Sequence, residues 1–223
     1  MDGHASKFAE AKHTAGDIAS GGPAASYAGI KETALRITEG QRVMTPLLQI
    51  PLTTIDGREA TLGDYAGNVL LLVNTASECG LTPQYAGLEA LSEAYRGKGL
   101  VVMGFPSNDF GAQEPGDDAQ ISAFCTEKYA VEFPMFSKIT VVGERKHPLY
   151  AELIARLPKT QASEGFREEL KGYGMTPNPE PEVLWNFEKF LIARDGSVAA
   201  RFSPDVAPED PRLREAIEIE LAR

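Results

Sequence analysis

The chain has 223 residues, of which 43% are hydrophobic and 24% are charged, and its formal net charge at pH 7 is −10. This composition is typical of a folded globular protein, and the acidic balance argues against nucleic acid or a membrane as a stable partner. Two cysteines and three histidines are too few for a disulfide framework or a zinc site, so we expect neither a metal nor another bound cofactor.

The N-terminal residues carry no pattern of a folded element. Residues 1–43 are rich in Ala, Gly and Ser and lack a sustained apolar period, which predicts a flexible extension ahead of a domain over 44–223. Met44 stands just before the first predicted strand and is an alternative start of the protein. The start of the chain lacks the basic head and apolar core of a secretory signal, so a cytoplasmic protein is expected.

The first half of the domain alternates strands with one helix. The predicted elements are a strand over 47–54, a short strand after the turn Asp56-Gly57, a buried strand over 68–74, an amphipathic helix over 82–98 and a buried strand over 100–105. A strand–helix–strand order of this kind favours a parallel pair.

The second half is predicted to hold helices, a long connection and a hairpin. The elements are helices over 118–129 and 148–157, a surface connection over 159–181, antiparallel strands over 187–193 and 198–202 around the turn Asp195-Gly196, and a helix over 211–221. Together with the first half, this order predicts an α/β domain with a mixed sheet flanked by helices.

Cys79 stands where a buried strand gives way to a helix. The carboxyl end of a parallel strand is a common place for reactive groups, and unpaired N–H groups at the start of a helix favour a thiolate. Glu78 opposes thiolate formation if its carboxylate lies near the sulfur, so we expect it to point into solvent. By itself, a single cysteine is more often an inert buried side chain, and its sequence context has to decide.

Three segments resemble the signatures of the glutathione peroxidase family, in the family's order. They are residues 73–82 (VNTASECGLT), 104–116 (GFPSNDFGAQEPG) and 184–190 (LWNFEKF), and the similarity runs from about Ile50 to the C-terminus. The resemblance implies a thioredoxin-like fold and a thiol peroxidase that reduces hydrogen peroxide and organic hydroperoxides as part of an oxidative stress response.

The resemblance also implies the site residues. Cys79 matches the peroxidatic residue, while Gln113, Trp185 and Asn186 match the polar partners of the catalytic tetrad. Their side chains offer uncharged N–H donors, which suit a thiolate and a departing oxygen. Asn108 matches a further polar residue near the pocket. Without the motifs, Trp185 would be interpreted as a core residue and both amides as turn residues.

Cys125 leaves the choice of reductant open. Its segment resembles the resolving-cysteine helix of the thioredoxin-dependent members, which implies a disulfide with Cys79 that thioredoxin reduces. A packed, inert Cys125 with glutathione as reductant is the alternative, and a redox relay that passes oxidation to a partner protein is another. Ser107 replaces a cysteine that many relatives carry, and Asp109 stands where Gln is common; we assign no role to Asp109 from the sequence.

Overall fold

The computed structural model describes residues 45–223. The predicted extension over 1–43 and the alternative start at Met44 lie outside the described residues. The elements are β1 (Leu52–Thr53), β2 (Glu59–Ala60), β3 (Val69–Thr75), α1 (Gln84–Ala94), β4 (Leu100–Pro106), α2 (Asp118–Tyr129), α3 (Pro148–Arg156), α4 (Ser163–Gly172), β5 (Lys189–Ile192), β6 (Val198–Phe202) and α5 (Pro211–Leu221). Among these residues, no helix combines the length and the apolar character needed to cross a bilayer.

The central sheet is mixed, as predicted, and has the strand order β4-β3-β5-β6. Strand β3 pairs in parallel with β4 and antiparallel with β5, and β5 forms the predicted antiparallel hairpin with β6. Every residue of β3 is buried, which explains its unbroken apolar sequence. The chain thus has the predicted thioredoxin-like α/β fold.

Two apolar layers cover the two faces of the sheet. Alternate side chains of β3 enter opposite layers, because successive side chains of a strand point to opposite faces. Val69, Leu71 and Val73 join the layer that contains residues of α1, α2 and α5, and this layer also holds both cysteines. Leu70 and Leu72 join the layer built on α3 and the start of the domain.

Helices α2 and α5 have the predicted bounds because clear capping residues precede them. The Asp117 side chain accepts the backbone N–H of Gln120, and the Gln120 side chain accepts the backbone N–H of Asp117. The Asp210 carboxylate accepts the N–H of Arg212, and Pro211 occupies the first position of α5.

The strand predicted over 47–54 is wrong for most of its length. Residues Pro46–Gln49 form a short 3-10 helix, and strand geometry is confined to the two residues of β1. Leu47 and Leu48 are both buried. Tight turns of this kind place neighbouring side chains against the same apolar layer, which a strand exposed on one face does not do.

The surface connection predicted over 159–181 is also wrong, because it contains α4. Phe166 and Leu170 lie four positions apart and are both buried, so they form one apolar face of this helix. The position of α4 matters for the site described next.

Candidate active site

The loop that carries Cys79 is closed by Thr82. The backbone N–H of Cys79 donates to the Thr82 hydroxyl oxygen at 3.0 Å, and that hydroxyl donates to the Ala76 carbonyl at 2.9 Å. These bonds join the end of β3 to the turn before α1, so the position of the Cys79 backbone is determined by the sheet.

The sulfur of Cys79 is buried but faces a pocket. The side chain is 8% exposed, and its Sγ accepts the N–H of Leu81 at 3.4 Å. Glu78 is exposed, as expected, and its backbone N–H donates to the Gln113 carbonyl at 3.0 Å. This bond ties the cysteine loop to the second signature segment.

Gln113 is oriented by Asn186. Gly111 and Ala112 both adopt positive φ angles, of 62° and 54°, and the tight turn they form presents Gln113 to the pocket. The Nδ2 of Asn186 donates to Oε1 of Gln113 at 3.0 Å. With its oxygen engaged in this way, Gln113 retains its NH₂ group as a donor. Asn186 itself is fully buried and does not line the pocket.

Trp185 forms another side of the pocket. Its carbonyl accepts the Nδ2 of Asn74 at 3.0 Å, which anchors the third signature to the end of β3. Its ring centroid lies 5.2 Å from that of Phe110, so the second and third signatures also pack together. Cys79, Gln113 and Trp185, predicted from separate segments, therefore line one cavity, with Asn186 behind Gln113.

The cavity has a volume of about 310 Å³, and its remaining wall was not predicted. Phe166 and Leu170 of α4, together with Met175, line the same cavity as Cys79. The spacing of four between Phe166 and Leu170 is the signal in the sequence that could have revealed this wall.

Asn108 and Asp109 shape the loop between β4 and Gln113. Asn108 is exposed, does not line the cavity, and accepts the backbone N–H of Glu114 at 2.8 Å through Oδ1. The Asp109 carboxylate accepts the Ser107 hydroxyl at 2.9 Å and the Val141 N–H at 2.5 Å. Asp109 thus connects this loop to the segment before α3, a contact that sequence proximity does not reveal.

Cys125 lies on α2, in the same apolar layer as Cys79, and is 2% exposed. Both cysteines are free thiols. Burial raises the pKa of the Cys125 thiol to about 11; the adjacent Tyr85 hydroxyl opposes this rise and the Glu114 carboxylate adds to it. The predicted partner of Cys79 is therefore a protonated, enclosed thiol in this conformation.

No cluster of three or more His, Cys, Asp or Glu side chains within residues 45–223 has the arrangement of a metal site. The cavity over Cys79 is lined mainly by apolar and amide side chains.

Comparisons with known proteins identify the family of the chain. The family model described as glutathione peroxidase matches residues 47–154. Thioredoxin/glutathione peroxidase BtuE of Escherichia coli K12 is 51% identical over 179 residues, covering 79% of this chain and 98% of that protein. Hydroperoxy fatty acid reductase Gpx2 of Synechocystis is 44% identical over 171 residues, covering 77% and 96%.

A solved structure is similar over nearly its whole length. The crystal structure of Trgpx in apo form has a TM-score of 0.59 and 32% identity, and the alignment covers 81% of this chain and 98% of that one. The chain therefore belongs to the glutathione peroxidase family and is a thiol peroxidase that reduces hydroperoxides.

Proposed function

We propose that Cys79 is the peroxidatic thiol, and that Gln113 and Trp185 are the donors that assist it. The observation that carries this proposal is the cavity in which these three side chains meet. Asn186 acts as a positioning residue, because its bond to Oε1 of Gln113 directs the Gln113 NH₂ group away from itself. We assign Asn108 to holding the loop rather than to the chemistry, since it does not line the cavity.

In the proposed first step, the Cys79 thiolate attacks the terminal oxygen of the hydroperoxide. The sulfur–oxygen bond forms, the oxygen–oxygen bond breaks, and the departing alkoxide takes up a proton and leaves as an alcohol. Cys79 becomes a sulfenic acid. Donors that bond the departing oxygen stabilise its developing charge, and each such bond is worth about 1.5–3 kcal/mol.

In the proposed second step, the Cys125 thiol condenses with the sulfenic acid, releasing water and forming a disulfide. Cys125 is buried on an intact helix, and we infer that α2 opens locally to bring its sulfur to Cys79. The dithiol of thioredoxin then reduces the disulfide. The name of the Escherichia coli relative, a thioredoxin/glutathione peroxidase, supports a thiol reductant of this kind.

One observation favours a second candidate, in which Cys125 is structural and glutathione is the reductant. Cys125 packs in an apolar layer, and burial raises its pKa to about 11, as expected of an inert thiol. In this cycle, glutathione attacks the sulfenic acid, which releases water and forms a mixed disulfide with Cys79. A second glutathione then attacks the mixed disulfide, which releases glutathione disulfide and restores the Cys79 thiol.

The test is peroxide-dependent oxidation of NADPH, coupled through thioredoxin and its reductase or through glutathione and its reductase. Thioredoxin-coupled turnover by the unchanged protein, lost in both Cys79→Ser and Cys125→Ser, is the expected result. Glutathione-coupled turnover that survives Cys125→Ser would instead favour the second candidate. Turnover that survives Cys79→Ser would contradict the assignment of the nucleophile in both cycles.

A further inference from the structure

Helix α4 and the segment that follows it form a wall over Cys79. Phe166 and Leu170 are buried, and they pack with Leu184, Leu81, Met175 and Trp185 in a separate apolar cluster. Leu81 and Trp185 belong to the signature segments, so the contact is made with the site itself. Helix α4 lies beyond residues 47–154, the part of the chain that matches the family model.

A single arginine holds both ends of the segment that contains α4. The fully buried Arg201 guanidinium donates to the carbonyls of Leu157 and Pro158 before the helix, at 3.2 and 3.1 Å. It also donates to the carbonyls of Pro181 and Glu182 after the helix, at 2.9 and 3.0 Å. The wall is therefore fixed in place and is not a loosely attached surface loop.

Arg201 is in turn connected to the third signature. Its Nε donates to the Glu188 carboxylate at 2.5 Å, and both side chains are fully buried. The other oxygen of Glu188 accepts the N–H of Leu184 at 2.6 Å, next to Trp185. The position of α4 and the position of Trp185 are thus determined by the same buried ion pair.

The size of the cavity exceeds what hydrogen peroxide needs. A volume of about 310 Å³ is several times the roughly 30 Å³ that a water molecule takes up in the liquid. Hydrogen peroxide has only two non-hydrogen atoms, so it contacts only part of the cavity lining. An organic group attached to the hydroperoxide would reach the half-buried Met175 and the edges of Phe166 and Leu170 that line the cavity.

The charge of the cavity favours a neutral occupant. Among the described residues that line it, Glu169 on α4 is the one with a charged side chain, and no cationic group faces it. The Glu169 carboxylate repels anionic groups, so neutral substrates are expected to bind more favourably than anionic ones.

We propose that α4 is the specificity-determining wall of the site, and that it selects hydroperoxides that carry a neutral, apolar organic group over hydrogen peroxide. The inference rests on the proposed role of Cys79 as the attacking thiol. Leu170 and Met175 contact the organic group, while Glu169 disfavours substrates that are charged near the hydroperoxide.

The test compares kcat/KM for cumene hydroperoxide with kcat/KM for hydrogen peroxide. In a cycle of alternating oxidation and reduction, these constants report on peroxide attack and are independent of the reductant. Leu170→Ala and the milder Met175→Ala should each lower the ratio about tenfold, with the value for hydrogen peroxide nearly unchanged. Leu153→Ala on α3 is the matched control, because Leu153 is equally buried but belongs to the layer remote from Cys79.

Glu169→Gln tests the charge. It should raise kcat/KM several-fold for a carboxylate-bearing analogue of cumene hydroperoxide and leave the neutral parent compound unchanged. An equal loss of kcat/KM for both peroxides in Leu170→Ala and Met175→Ala, or no loss for either, would overturn the inference but not the proposed function. A protein that turns over neither peroxide would overturn the proposed function, and the wall's role with it.

Discussion

At the scale of single residues, the two thiols differ in their access to solvent. Cys79 faces a cavity, whereas Cys125 is enclosed by α1, α2 and the sheet. Burial raises the pKa of Cys125 to about 11, so only about one thiol in ten thousand is ionised at neutral pH. Alkylating reagents react with thiolates, so the difference is measurable.

We expect iodoacetamide to label Cys79 of the reduced, folded protein at least about tenfold faster than Cys125 at neutral pH. Labelling of Cys125 should accelerate as the pH rises toward 11. Peptide mapping by mass spectrometry gives both rates. Denatured protein is the control and should label both equally, and equal rates in the folded protein would contradict the enclosed position of Cys125.

Lys189 is a second buried titratable residue, and it lies on β5 within the third signature. Its Nζ donates to Gln84 at the start of α1, at 2.6 Å, and to the Pro204 carbonyl at 2.9 Å. Burial lowers the pKa of Lys189 to about 7, although the carboxylates of Asp205, Glu188, Glu209 and Asp210 oppose the shift.

This lowered pKa predicts how stability depends on pH. An unfolded lysine has a pKa of about 10.4, so the unfolded chain binds this proton more tightly, and the free energy of unfolding rises with pH above 7. Between about pH 6.5 and about pH 8.5 the gain is about 2 kcal/mol. Urea denaturation at both values should show a smaller rise for Lys189→Met than for the unchanged protein. An identical rise would contradict a lowered lysine pKa.

At the scale of elements, α2 ends in a conformation that its sequence does not favour. Ala130 has a φ of 51°, in the left-handed region, and its N–H bonds to the carbonyls of Cys125 and Thr126. Non-glycine residues in this region cost about 1 kcal/mol. A substitution at Ala130 can therefore change the stability of the C-terminal turn of α2 without altering either thiol.

Ala130→Gly should raise the free energy of unfolding by about 1 kcal/mol and slow formation of the proposed Cys79–Cys125 disulfide about fivefold, because a more stable α2 opens less often. Denaturant unfolding and rapid-quench thiol counting measure the two effects. Ala162→Gly is the matched control, since Ala162 has a φ of 60° before α4. Ala162→Gly should raise the free energy of unfolding without slowing disulfide formation. A gain in stability without slowing in Ala130→Gly would mean that α2 need not open.

The segment containing α4 depends on the buried pair of Arg201 and Glu188. Arg201→Met leaves the Glu188 carboxylate buried without its partner and frees four carbonyls, so we expect a loss of about 3–5 kcal/mol in unfolding free energy. Limited proteolysis should then cut within residues 159–180. Arg58→Met, which removes an exposed pair with Asp56, should leave both properties unchanged. Equal effects of the two variants would contradict the anchoring role of Arg201.

At the scale of the whole molecule, the sequence predicted those parts of the fold that local chemistry determines. The apolar run of β3 and the capping residues Asp117 and Asp210 each mark an element without reference to the rest of the chain. Helix α4 was not predicted because Gly165, Gly172 and the prolines after Thr176 are typical of a loop, and the helix has only two buried apolar residues. Its stability comes from packing on the signature segments, which the local sequence does not show.

The candidate site was predictable in composition but not in arrangement. The motifs indicated Cys79, Gln113 and Trp185, which do line one cavity. The bond from Asn186 to Gln113 joins residues 73 positions apart and depends on positive φ angles at Ala112 and Phe187, which side-chain type does not reveal. Such contacts arise from the tertiary alignment of loops.

The chain contains one tryptophan, Trp185, and it lines the cavity over Cys79. The most direct test of the account is therefore stopped-flow tryptophan fluorescence after mixing reduced protein with hydrogen peroxide. We predict a phase whose rate rises linearly with peroxide concentration in the unchanged protein and in Cys125→Ser, and which is absent from Cys79→Ser. The same phase in Cys79→Ser would contradict the claim that Cys79 attacks the peroxide.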